Sequence, residues 1–332
     1  MKKPHRITIA AFALFGMTFA DAAPLPQLNI DKSQTTVSGA SSGGYMAVQL
    51  HVAYSASFAK GAAVIAGGPF NCAEGSIVNA LTRCLGNAPI PVADLVSNTS
   101  KWAKVGAIDA TSNLADSKVY LFSAANDSAV KEATTTALQT YYQSFLPAAN
   151  IVHKKDVASE HAFVTDDFGS VCLTKATPFI NNCNFDLAGA LLQHLYGTLS
   201  ARKSGILDGS LNEFDQTPFG AGHGMGVSGW VFVPKNCAAG ASCRLHVALH
   251  GCRQNAIDIG DVFVRNAGYN RWADTNNIVV LYPQTGKGAT NSCWDWWGYD
   301  DANYAKKSAP QMTAIMAMAT ELSRGAAAPV KR

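Results

Sequence analysis

Charge is scarce in this chain. Only 15% of its 332 residues are Asp, Glu, Lys or Arg, and the formal balance is +3. No run of Lys and Arg forms a basic stripe, which argues against a dedicated nucleic-acid binder. No Cys-x-x-Cys occurs, and the zinc-site reading is weak without it. His246 and His250 stand four apart in "LHVALH". That stretch reads as a strand, where such a spacing separates side chains by roughly 13 Å, too far to share one ion. Neither a metal nor an organic cofactor is expected. Internal repeats and low-complexity linkers are also absent. Beyond the first residues, no apolar run is long enough to cross a bilayer.

What the chain has is apolar bulk. Hydrophobic residues make up 48%, enough for one large core. The first residues stand apart. "MKKPHR" is basic, "ITIAAFALFGMTFA" is apolar but short, and Ala20-Asp21-Ala22 supplies small residues at a cleavage point. This is the pattern of a secretory signal peptide over residues 1–22. Residues 23–332 are then expected to form a single catalytic domain, exported to the periplasm or the medium, with no membrane segment in the mature form and acting as a monomer. Eight cysteines fit an oxidising compartment. They allow 105 pairings. Spacing favours Cys72–Cys84, Cys172–Cys183 and Cys237–Cys243 as local staples, leaving Cys252 for Cys293.

Strand and helix patterns alternate. "QTTVSG", "GAAVIAGGP", "SKVYLFS" and "NIVHKKDV" read as strands, with helices at Ser42–Tyr54, "AVKEATTTALQTYYQSFL" and "DLAGALLQHLYG". Later, "GVSGWVFVPKNC" and "CRLHVALHGC" read as two strands joined by a turn. A helical "AGYNRWADTNN", a strand "IVVLYPQ" and a closing helix "SAPQMTAIMAMATELSRG" follow. Such alternation predicts an α/β fold with a mostly parallel sheet covered on both faces.

Gly39-x-Ser41-x-Gly43 occurs once, between a strand and a helix read as amphipathic. A nucleophile elbow needs very small residues two before and two after the serine, because the backbone packs tightly around it. The helix beginning at Ser42 would aim its free N–H groups at the reaction centre. Ser42 is a rival nucleophile, but only Ser41 has glycine on both required sides. A serine needs a base, and the base an orienting acid. Such residues follow the carboxyl ends of strands in the order Ser, Asp, His. Asp127 follows "KVYLFS", and His161 follows "IVHKKDV". Asp116 lies at the wrong end of its strand, His153 lies within one, and Asp166 and Asp167 come after the histidine.

An elbow so early leaves half a sheet unaccounted for. "LHVALHGCRQN" supplies it: the strand runs into His250-Gly251-Cys252 and resembles the loop that gives α/β-hydrolases their second oxyanion donor. The donors would be the N–H groups of Ser42 and Cys252, with His250 ordering the loop. The half that should come first therefore comes last, as a circular permutation, with about 196–226 as the added joining segment. Close-lying termini make this tolerable.

"SGASSGGYMA", "SAANDSAV", "EHAFVTDD", "LHVALHGCRQN", "LYPQ" and "SCWDWWGY" together resemble the polyhydroxybutyrate (PHB) depolymerases of the circularly permuted, single-domain type. The resemblance implies a permuted α/β-hydrolase with a Ser41–His161–Asp127 triad and no separate polymer-binding domain. Its implied reaction is ester hydrolysis in poly(3-hydroxybutyrate), related polyesters or oligomers. Feruloyl and acetylxylan esterases share the single motifs and form the alternative; a non-catalytic binding protein on the same fold is a remote one. Trp294 and Trp296, with Trp297, are expected to wall the substrate groove, since a short, weakly polar repeat suits aromatic contact.

Overall fold

The computed structural model describes residues 23–325, so the signal-peptide reading of residues 1–22 lies outside the described residues. The main sheet has eight strands. In chain order, its first four are β1 (Ile30–Ala40), β2 (Gly61–Ile65), β3 (Lys118–Phe122) and β4 (Ile151–Lys154). A small second sheet contains β5 (Phe163–Thr165), β6 (Ser170–Val171) and β7 (Ile180–Asn182). The main sheet resumes with β8 (Ser210–Asp215), β9 (Ser228–Val233), β10 (Cys243–Leu249) and β11 (Ile278–Tyr282). Its spatial order is β4-β3-β2-β1-β10-β11-β9-β8. Six strands run parallel, and β9 and β8 add an antiparallel edge.

Strands such as "GAAVI" and "IVVLY" are buried along their whole length, as parallel strands covered on both faces must be. Helix α1 (Ser42–Ala53) differs from its expected amphipathic character: all twelve of its residues are buried. The reason is its position. It packs on β1 and β2 beneath the helix Pro310–Leu322, and two of its polar side chains find partners inside the protein. Gln49 donates to the carbonyls of Asp295 and Tyr304, and His51 Nδ1 meets the Tyr142 hydroxyl.

Two further expectations change. β9 and β10 are not a turn-linked pair, because β11 lies between them and the short helix Lys235–Ala238 bridges their ends. The expected joining segment is not plain linker either, for it contributes edge strand β8. Placed β8-β9-β10-β11-β1-β2-β3-β4, the connectivity is that of an α/β-hydrolase cut and rejoined. The place of the cut is visible: Leu28 N–H donates to Leu322 O at 2.8 Å, and Gly325 N–H to Leu28 O at 3.1 Å. Four disulfides, Cys72–Cys84, Cys172–Cys183, Cys237–Cys243 and Cys252–Cys293, use all eight cysteines.

Candidate active site

The site forms where the parallel strands end. Ser41 follows β1 with φ 54° and ψ −119°, a strained conformation for a residue with a side chain. Its N–H donates to Ile65 O at the end of β2, and its carbonyl accepts from Tyr45 N–H. The flanking glycines are sterically required. A Cβ on Gly39 would lie 2.0 Å from Gly43 O, and one on Gly43 would lie 2.4 Å from His250 O. The turn is therefore wedged against the end of β10.

Asp127 follows β3. One of its carboxylate oxygens accepts the N–H groups of Ala129 and Val130, both at 2.8 Å. The other oxygen meets His161 Nδ1 at 2.8 Å, and His161 Nε2 lies 2.9 Å from Ser41 Oγ. With Nδ1–H donating to the aspartate, Nε2 is left to accept the serine proton. The Asp127 side chain is only 2% exposed, while that of His161 is 16% exposed. The structure thus brings all three predicted residues together. Ser42, the rival, has a buried hydroxyl with no partner among the described residues. His153 bonds Ser123 and Gln139 instead. Asp166 and Asp167 pair with Arg202 and Arg271.

The loop after β10 faces the serine. His250 is fully buried, which pushes its pKa down to about 4 despite the opposing Gly251 carbonyl and Asp258. It is neutral: Nδ1–H donates to Gly251 O at 2.7 Å, and Nε2 accepts from Thr285 N–H. Gln254 braces the same loop. Its Oε1 accepts Gly251 N–H, and its Nε2 donates to the carbonyls of Pro178 and Phe179. Cys252–Cys293 ties the loop to the aromatic segment. A cavity of about 210 Å³ opens at Ser41, with Ile65, His161, Phe163, Phe179 and Cys252 among its walls.

The tryptophan expectation is corrected. Trp294 is wholly buried and Trp296 is 5% exposed. Trp294 donates its indole N–H to His250 O, and Trp296 stacks on Tyr45 at 4.2 Å. Both are scaffold beneath the site; Trp297 alone of the three is half-buried. The apolar walls are instead Phe163 and Phe179. Phe163 stands two residues after His161, a proximity visible in the sequence, whereas Phe179 arrives through the small sheet and had no local signal. Glu160 was also missed. One of its oxygens accepts from His161 N–H at 2.8 Å and from both the N–H and the hydroxyl of Ser128 at 3.1 Å, tying the histidine loop to the aspartate loop.

Fold and site together define an α/β-hydrolase with a Ser–His–Asp constellation. A family model, esterase PHB depolymerase, matches residues 228–323. A poly(3-hydroxybutyrate) depolymerase of Delftia acidovorans is 63% identical over 95% of this chain, which spans 65% of that relative's length. A polyhydroxybutyrate depolymerase of Talaromyces funiculosus is 37% identical, over 96% of this chain and 98% of its own. Among solved structures, the PHB depolymerase from Penicillium funiculosum and a PHB depolymerase variant complexed with R3HB trimer each superpose with a TM-score of 0.86. Each is 36% identical, over 91% of this chain and 99% of its own. The chain belongs to the PHB depolymerase family.

Proposed function

We propose that this protein is a carboxylic ester hydrolase that cleaves poly(3-hydroxybutyrate), or its oligomers, through an acyl-enzyme. The single observation carrying this reading is the unbroken line Asp127–His161–Ser41, with hydrogen bonds of 2.8 and 2.9 Å. His161 takes the proton as Ser41 Oγ attacks the ester carbonyl. Asp127 holds the imidazole in the required tautomer and stabilises its cation. The N–H groups of Ser42 and Cys252 receive the developing oxyanion; among the described residues neither donates elsewhere in the backbone network. Loss of one such donor typically costs about 10²–10³ in rate. His161 then protonates the leaving alcohol, and water, activated by the same histidine, releases the acid.

The mainly apolar walls Ile65, Phe163 and Phe179 suit an aliphatic ester repeat. The relatives' names point to the same polyester rather than to a carbohydrate ester. Four disulfides fit an oxidising compartment, and no described helix is long and apolar enough to cross a membrane. Export as a monomeric, single catalytic domain is part of the same proposal. The test is clearing of an amorphous poly(3-hydroxybutyrate) suspension, with Ser41→Ala as control and a soluble short-chain ester in parallel. Clearing by the wild type alone, with release of 3-hydroxybutyrate or its oligomers, is expected. Ester hydrolysis without clearing would move the substrate to small or carbohydrate esters. Equal activity of Ser41→Ala would overturn the nucleophile.

A further inference from the structure

Seven arginines lie among the described residues, and six have evident partners. Arg83, Arg202, Arg265, Arg271 and Arg324 pair with carboxylates, and Arg244 lies over the Tyr196 ring. The seventh, Arg253, forms no salt bridge, side-chain hydrogen bond or aromatic contact with any described residue. It lines the cavity that opens at Ser41 and His161.

Its backbone makes this placement costly. Arg253 sits at φ 57°, in the left-handed region, where a residue with a Cβ gains nothing locally and a glycine would be at ease. The positions on either side are fixed. Cys252 is bonded to Cys293, and Gln254 is clamped to Gly251, Pro178 and Phe179. The loop therefore places Arg253, exposed and without a described partner, at the edge of an otherwise largely apolar cavity.

We infer that Arg253 is a specificity residue that receives the free carboxylate of a short hydroxyalkanoate oligomer, marking a chain end. This rests on the ester-hydrolase reading above. The interior of the polyester is uncharged, so a guanidinium finds nothing there to pair with. Every hydrolysed ester leaves a new carboxylate, and on a short oligomer that group lies within a few bonds of the next scissile ester. A planar, permanently charged donor fork matches a carboxylate in a way that a neutral amide or hydroxyl does not. The same enzyme would then treat soluble oligomer ends differently from the polymer interior.

The test is steady-state kinetics on the 3-hydroxybutyrate trimer as free acid and as methyl ester, for wild type, Arg253→Ala and Arg253→Lys. Arg253→Ala is expected to lower the acid-to-ester ratio of kcat/KM about tenfold, through KM for the acid, the size of one charge-assisted hydrogen bond. Arg253→Lys keeps the charge and restores part of that ratio, and raised salt shrinks the wild-type preference. An unchanged ratio in Arg253→Ala, with both variants melting like the wild type, overturns the inference. Hydrolysis of neither trimer by the wild type overturns the depolymerase reading itself, and is told apart by that shared loss.

Discussion

The indole N–H of Trp294 donates to the carbonyl of His250 at 3.0 Å, and the two rings lie 5.1 Å apart. A fully buried tryptophan thus holds the residue that leads into the loop opposite Ser41. Trp294→Phe removes the donor and leaves a buried carbonyl short of a partner. A loss of about 2 kcal/mol is expected, read as a lower urea midpoint with unchanged slope. Esterase activity should fall with it, because the Gly251–Cys252 backbone loses its support. Unaltered stability would show that His250 O is satisfied by other means.

Gly43 touches the same carbonyl from the other side. Gly43→Ala would place a methyl 2.4 Å from His250 O and 2.6 Å from Leu249 O. Both are backbone atoms of β10 or its end, so neither can swing away. The expected cost is roughly 3 kcal/mol, with esterase activity lost before the fold is. Thermal unfolding beside a short-chain ester assay separates the two.

Glu160 binds the Asp127 and His161 loops to each other. Glu160→Ala is expected to lower kcat about tenfold while leaving KM nearly unchanged, since the side chain orients His161 and does not line the cavity. Glu160→Gln keeps an acceptor and should recover part of the loss. An equal rise in KM for both variants would show instead a general disturbance of the binding site.

Three buried histidines set the acid limit of the fold. Burial pushes His51 and His246 down to about 3 and His250 to about 4. Each is neutral in the folded state, while the unfolded chain takes up protons near pH 6.5. Stability is therefore full above pH 6.5 and is lost as pH falls toward 4, by about 1.4 kcal/mol per pH unit for each histidine. Thermal unfolding from pH 7.5 to 4.5 should show the decline. His246→Asn should make it shallower, with His51 and His250 still contributing, while lowering stability at neutral pH, because His246 also bridges Thr36 and Ser38.

Ser41, Asp127 and His161 were legible because each carries a local signal: a glycine-framed turn, or a polar residue just beyond an apolar strand. The cyclic shift was legible because "LHVALHGC" has its own strand-then-turn pattern, out of place at residue 250. The tryptophans misled because aromatic clustering does not distinguish a groove wall from a packed support; only the fold showed that Trp294 faces His250. The character of α1 misled for a related reason. The polar Gln49 and His51 lie within it, yet their partners, Asp295, Tyr304 and Tyr142, lie far along the chain. Glu160 and Gln254 act by accepting from backbone N–H groups, a role open to any loop carboxylate or amide and so unmarked in a pattern of residue types.

The cut between Leu28 and Leu322, closed only by hydrogen bonds, has a consequence in time. β1 is the centre of the sheet, yet its neighbour β10 is made far later; His246 follows Ser38 by 208 residues. During synthesis the Ser41 turn therefore appears first and waits at a bare strand edge, a costly long-range closure. Its opposing wall, the carbonyls of Leu249 and His250, and the loop facing the serine arrive with the last third of the chain. On the ester-hydrolase reading, the site can assemble only once that last third has been made.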